Sequence, residues 1–173
     1  MTQSGVEPSA IVTFTTDFGE GSRYVGEMKG ALLAVNPLAN LIDLTHSVPP
    51  QDIATASRWL ADAAFAFPAG TLHVAVIDPG VGSSRQIVYA EFGEQRFICP
   101  NNGLLTDLAD RANLAERAPA GKIFSIEERR FWRSRVSATF HGRDIMAPVA
   151  GHLTRGARPD ELGRRLTAAD VVR

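Results

Sequence analysis

From residue 10 onward, short apolar runs rich in β-formers alternate with longer windows of three-and-four spacing, and this alternation constrains the fold more than any other feature of the chain. Ala10-Ile11-Val12-Thr13-Phe14-Thr15 predicts a strand. The window 21–35 predicts a helix, with Val25, Met28, Leu32 and Val35 on one face and Asn36-Pro37 as its stop. A second strand is expected over 40–44, then a helix over about 53–65 with Asp52 as its N-cap. Residues 71–77 give the clearest strand, and Gln86-Ile87-Val88-Tyr89-Ala90-Glu91 with Gln95-Arg96-Phe97-Ile98 reads as a hairpin around Phe92-Gly93-Glu94. Further on, a short helix is expected from Asn102-Gly103 to Ala109, a strand over 122–126 and a helix over 144–153. Strands interleaved with helices imply an α/β domain, with a largely parallel central sheet flanked by helices on both faces.

The chain has 173 residues, enough for one domain with a short appendage. Residues 1–9 read as a flexible tail, 10–157 as the α/β domain, and the charged segment 158–173 as a weakly structured linker towards a further domain. Charge is nearly balanced, 18 Lys and Arg against 19 Asp and Glu, which argues against a protein built to grip nucleic acid or an anionic membrane. The local run Glu127-Glu128-Arg129-Arg130-Phe131-Trp132-Arg133-Ser134-Arg135 reads as a solvated face or subunit contact rather than a nucleic-acid site. Cys99 is the single cysteine, so no intramolecular disulfide or multi-cysteine metal site is available. The N-terminus lacks the basic and apolar regions of a secretory signal, and no apolar run reaches the length of a membrane span. A soluble, cytoplasmic protein is the expectation.

Two carboxylates follow strands directly: Asp17 after the first, and Asp78 after Ile77. In an open parallel sheet the carboxyl ends of the strands form the ligand-binding edge. Each aspartate could instead be a turn former, as Asp-Pro-Gly often is, but the pair favours a shared crevice. The segment Asp78-Pro79-Gly80-Val81-Gly82-Ser83-Ser84-Arg85 lacks the ending of a phosphate loop and the third glycine of a dinucleotide fingerprint. Arg85 could pair with a carboxylate on its own loop or stand exposed. Of the 4 histidines, His141 is the most suggestive, in Phe140-His141-Gly142-Arg143-Asp144, where Asp144 could cap a helix and Arg143 could be a structural ion-pair partner. His46 suits a loop hydrogen bond, and His73 and His152 suit packing or surface roles. No histidine pair has zinc-ligand spacing, so no metal is expected. No Gly-x-Ser-x-Gly elbow is present either, which leaves covalent hydrolysis without support.

Thr15-Thr16-Asp17-Phe18-Gly19, Tyr24-Val25-Gly26-Glu27-Met28-Lys29-Gly30, Asp43-Leu44-Thr45-His46, Val76-Ile77-Asp78-Pro79-Gly80-Val81-Gly82, Pro100-Asn101-Asn102-Gly103 and Phe140-His141-Gly142-Arg143-Asp144 occur in this order. Together they resemble the S-adenosyl-L-methionine (SAM) hydroxide adenosyltransferases, the hydrolase branch of the family of SAM-dependent chlorinases and fluorinases. The resemblance implies hydrolysis of SAM to adenosine and L-methionine, with SAM as substrate and no cofactor. It implies a following β-barrel-like domain, absent from this chain, and a homotrimer with active sites between subunits. By the same likeness Asp78, Arg85 and His141 form a catalytic triad that positions and activates water, while Asp17, Phe18 and Asn102 bind the substrate and Asp17 holds the ribose hydroxyls. Halogenating members carry tyrosine where this chain has Asp78, and an extra loop not found here. Both differences favour water over halide. A halogenase, or a non-catalytic SAM-binding or assembly module, are the alternatives. Asn101 stands where relatives commonly have aspartate.

Overall fold

A computed structural model describes residues 10–114 and 122–173. Strands β1 (Ile11–Thr16), β2 (Asn40–Thr45) and β3 (Leu72–Val76) are parallel, with β1 in the middle. Helix α1 (Arg23–Leu33) links β1 to β2, and α2 (Ile53–Ala63) links β2 to β3. The Asp52 carboxylate accepts the Thr55 backbone N–H at 2.9 Å, so the expected N-cap forms. A hairpin of β4 (Ile87–Phe92) and β5 (Gln95–Pro100) follows, and β5 runs parallel to β3. Strands β6 (Ile123–Ser125) and β7 (Arg165–Leu166) complete one sheet in the order β2-β1-β3-β5-β4-β6-β7.

Residue alternation along the strands divides the core into two layers. On one face Leu72, Val74 and Val76 of β3 meet Met28 and Leu32 of α1 and Val149, Ala150 and Leu153 of α4 (Ala147–Thr154). On the other, Ala75 and Ile77 meet Ala56 and Leu60 of α2 and Leu108 of α3 (Thr106–Leu114). Both faces are covered, as the apolar runs of β1 and β3 require.

Two boundaries differ from the sequence pattern. Gly103 adopts φ 106°, a left-handed conformation that cannot continue a helix, so α3 begins at Thr106 rather than at Asn102. Residues 158–173, read from their charge as a weakly structured linker, add β7 to the sheet and bury Leu162 in one core layer and Leu166 in the other. Leu162 and Leu166, the two that enter the core, stand four apart among charged neighbours, too short a signal to show as a periodic pattern. Asn101 ties the end of this segment down: its Nδ2 donates to the Asp170 carbonyl at 2.8 Å and its Oδ1 accepts the Val172 N–H at 2.9 Å. An aspartate could supply only the second bond.

His73 is wholly buried in β3, as its place in the strand pattern suggested. Its Nδ1 lies 2.7 Å from Thr13 Oγ1 and its Nε2 3.3 Å from Gln95 Oε1, and its ring stacks on Phe97. Burial lowers its pKa to about 4. Below the ordinary histidine value, the unfolded chain therefore takes up a proton that the fold excludes. Stability should be at its plateau above about pH 6.5 and fall by about 3 kcal/mol as pH drops to about 4. Urea melts across that window, compared with His73→Gln, measure the effect. His141 and His152 are also shifted down and remain in the variant, so a shallower slope in His73→Gln isolates His73.

Candidate active site

The strand order places a crevice between β1 and β3. The chain leaves β1 towards β2 and leaves β3 towards β4 and β5, so the two exit loops diverge from neighbouring strand ends. Such a switch point is where open α/β sheets bind ligands. Asp17 follows β1 and Asp78 lies two residues beyond β3, so both carboxylates stand at this edge.

Asp78 and Arg85 close their shared loop as a two-pronged ion pair. Arg85 Nε donates to Asp78 Oδ1 at 2.8 Å, and Arg85 Nη2 donates to Asp78 Oδ2. Only 5% of the Asp78 side chain and 11% of that of Arg85 are exposed, so the pair is held rigidly and largely away from water. Arg85 Nη2 also lies 3.0 Å from His141 Nδ1, joining residues 56 positions apart. A guanidinium can only donate, so His141 Nδ1 accepts and Nε2 carries the ring proton. Burial, and then the Arg85 charge, hold the His141 pKa below the usual range despite the opposing charges of Asp78 and Asp144, so the ring is neutral at pH 7. The unit is thus a carboxylate, a fixed cation and a neutral imidazole with one N–H to offer.

Beside it lies a cavity of about 350 Å³, lined by Asp78 and His141 and by Asp17, Phe18, Tyr24, Gln51 and Phe140 among others. Tyr24 stacks on Phe140 with ring centroids 4.7 Å apart, and Phe18 meets Tyr24 edge-on at 6.3 Å. These rings form one wall, with Met28 and Val76 also bordering the space. Asp17, which also lines the cavity, accepts the Gln51 backbone N–H at Oδ2 at 2.8 Å. Gln51 has φ 62°, the only left-handed non-glycine residue among the described residues. Such strain concentrates at functional sites. A wider groove of about 730 Å³, bordered by Arg85, Trp132 and Arg133, opens on another side of His141.

The structure brings together Asp17, Phe18, Asp78, Arg85 and His141. Asn102 stands apart from the cavity wall: its Nδ2 donates to the Ile77 carbonyl at 2.9 Å, bracing the backbone just before Asp78. His46 does make a loop contact, with Nδ1 2.9 Å from Thr16 Oγ1. Asp144 is fully buried and accepts the Ser137 N–H at 2.9 Å, a tie to the preceding loop rather than a cap of its own helix. Burial alone would raise its pKa, but Arg143, the Ser137 amide and Arg133 outweigh it and hold the carboxyl below the usual range. Arg143 is the ion-pair partner, gripping Asp144 and reaching Glu27 Oε2 at 2.8 Å. The Pro-Pro punctuation before Gln51 was visible in the sequence, but not that its next amide would meet Asp17.

Comparison with known proteins bears on the family and the fold. The family described as "SAM hydroxide adenosyltransferase N-terminal domain" matches residues 12–163. A protein of Salinispora tropica named (R)-S-adenosyl-L-methionine hydrolase is 37% identical over 166 residues, covering 96% of this chain and 61% of its own length. A fluorinase of Nocardia brasiliensis is more distant, 27% identical over 195 residues, with 99% of this chain and 62% of the fluorinase covered. Among solved structures, an uncharacterized conserved protein from Thermotoga maritima superposes with a TM-score of 0.85 at 39% identity, over 94% of this chain and 61% of that one. The chain thus spans about three fifths of the length of the curated relatives it matches.

Proposed function

The chain belongs to the SAM hydroxide adenosyltransferase N-terminal domain family, and from that premise we propose that it hydrolyses SAM to adenosine and L-methionine. The observation that carries the proposal is the Asp78–Arg85–His141 unit at the edge of the cavity that Asp17 also lines. The relatives' name specifies the R configuration at sulfur, and the proposal takes that epimer as substrate. No cofactor is invoked.

The step is a substitution at the ribose C5′. A water oxygen forms the new C–O bond while the C5′–S bond breaks, and its electron pair stays on sulfur. Methionine departs as a neutral thioether, so the leaving group needs no acid. His141 Nε2–H supplies a donor that holds the water oxygen through one lone pair and leaves the other for C5′, while Arg85, bonded to both Asp78 and His141, fixes the two around it. With Nδ1 engaged by Arg85, His141 cannot take a proton without releasing that bond, and the proton passes to Asp78. A weak base suffices, because the newly formed protonated alcohol is a strong acid. Orientation of the nucleophile contributes up to roughly 7–11 kcal/mol in the best cases, and proton transfer roughly 10²–10⁴ in rate. Asp17, with two acceptor oxygens, suits the paired ribose hydroxyls, and Phe18 the substrate's flank.

A halogenase is disfavoured because this chain has the anionic Asp78 where halogenating members carry tyrosine, and a carboxylate suits water better than a halide. The homotrimer with sites between subunits belongs to the same reading, as does a cytoplasmic location. Sedimentation tests the first. Incubating (R)-SAM with the chain in chloride buffer and separating the products tests the reaction. Adenosine and methionine are expected; a 5′-chloro nucleoside would establish the halogenase instead, and unchanged SAM with measurable binding would establish the binding module.

A further inference from the structure

We infer that Asp144 is the positioning residue of this site, the anchor that laces loop 133–140 and thereby sets His141 against Arg85; the inference rests on the hydrolase reading for its kinetic test only. All three polar groups of Asp144 hold this loop. Its carboxylate accepts the Ser137 N–H at 2.9 Å and Arg133 Nη1 at 3.3 Å. Its backbone carbonyl accepts the Arg133 N–H at 2.9 Å, and its own N–H donates to the Phe140 carbonyl at 2.9 Å. The start, middle and end of the loop thus converge on one buried residue.

Asp144 is itself fixed from behind. Arg143 Nε and Nη2 grip it at 2.7 and 3.0 Å, and Arg143 Nη1 extends the network to Glu27 of α1. It lies within a π-helical turn, Gly142–Met146, a form of backbone that recurs at functional sites. His141 immediately precedes this turn, so the ring's position depends on where the turn and the loop are pinned. The loop borders both spaces around His141: Thr139 and Phe140 line the smaller cavity, Ser137 and Ala138 the wider groove. Asp144 itself lines neither, so its role runs through His141 and not through substrate.

The test pairs nitrogen NMR of the His141 ring with kinetics in Asp144→Asn. The unaltered chain should show the Nε2–H tautomer with Nδ1 hydrogen-bonded. In Asp144→Asn that signature should give way to a mixture of tautomers, and kcat should fall ~100-fold with KM changed by at most about threefold, as expected for ångström-scale misplacement of a catalytic group. Asp144→Glu should recover part of both signals. If Asp144→Asn does not fold, Ser137→Pro removes one loop bond while leaving the buried charge and both arginines, and the same tautomer change is expected. An unchanged His141 signature in a folded variant overturns the inference. Because the NMR signature needs no turnover, it decides the matter even if the chain proves unable to hydrolyse SAM, which would count against the proposed function alone.

Discussion

Asp78→Asn should leave SAM binding within about threefold of the original and reduce its turnover by roughly 10²–10⁴, the range lost when a positioned proton acceptor is removed. The asymmetry follows from where Asp78 sits. Both its oxygens are engaged by Arg85, whereas Asp17 and the aromatic side chains offer other surfaces of the cavity to the substrate. Asparagine keeps the size but replaces one acceptor oxygen with a donor NH₂, which opposes the Arg85 Nη2 donor. The fork therefore opens, and the Arg85 bond to His141 Nδ1 loses its fixed geometry as well. Calorimetry of SAM binding and product chromatography together separate the outcomes. Unimpaired turnover would remove Asp78 from the mechanism. Lost affinity with turnover retained at saturation would make it a binding residue.

How much of this was legible in the sequence depends on range. The two carboxylates at the strand ends could be read locally, because an apolar run followed by Asp and a turn places the side chain at the sheet's carboxyl edge once the strands are parallel. The contact between Arg85 and His141 could not. It spans 56 residues and arises only when the loop after β3 meets the loop before α4. Resemblance to a family named the trio; the residue pattern alone left Arg85 as an exposed loop arginine or a carboxylate partner. Asn102 shows a different limit: its motif resembled a substrate contact, and only the packing shows its Nδ2 donating to the Ile77 carbonyl just before Asp78. Asp144 read as a cap because it opens a helical pattern, and only the packing shows its carboxylate turned back towards Ser137. In each case the residue type was informative, while its partner lay outside any window of local periodicity.

Gly82→Ala should be nearly as damaging as the loss of Asp78, although residue 82 carries no chemistry. Gly82 has φ 81°, and a Cβ built on it would stand 2.6 Å from the Ala138 carbonyl oxygen. That contact is backbone against Cβ, so no side-chain rotation can relieve it. One of two loops must move: the loop that carries Asp78 and Arg85, or the loop tied to Asp144 that leads into His141. Either displacement draws Arg85 and His141 apart. The left-handed conformation and the clash together should cost about 1–3 kcal/mol of stability, and misplacement by an ångström should lower kcat ~100-fold. Gly156→Ala supplies the control, since Gly156 also has positive φ, at 97°, but faces open space and borders neither the cavity nor the groove at His141. It should lose stability through conformation alone and retain full turnover. Thermal melts and single-turnover rates on both variants decide the point. Equal turnover in the two would mean that the approach of these loops does not set the geometry of the triad, and that His141 finds Arg85 by side-chain freedom instead.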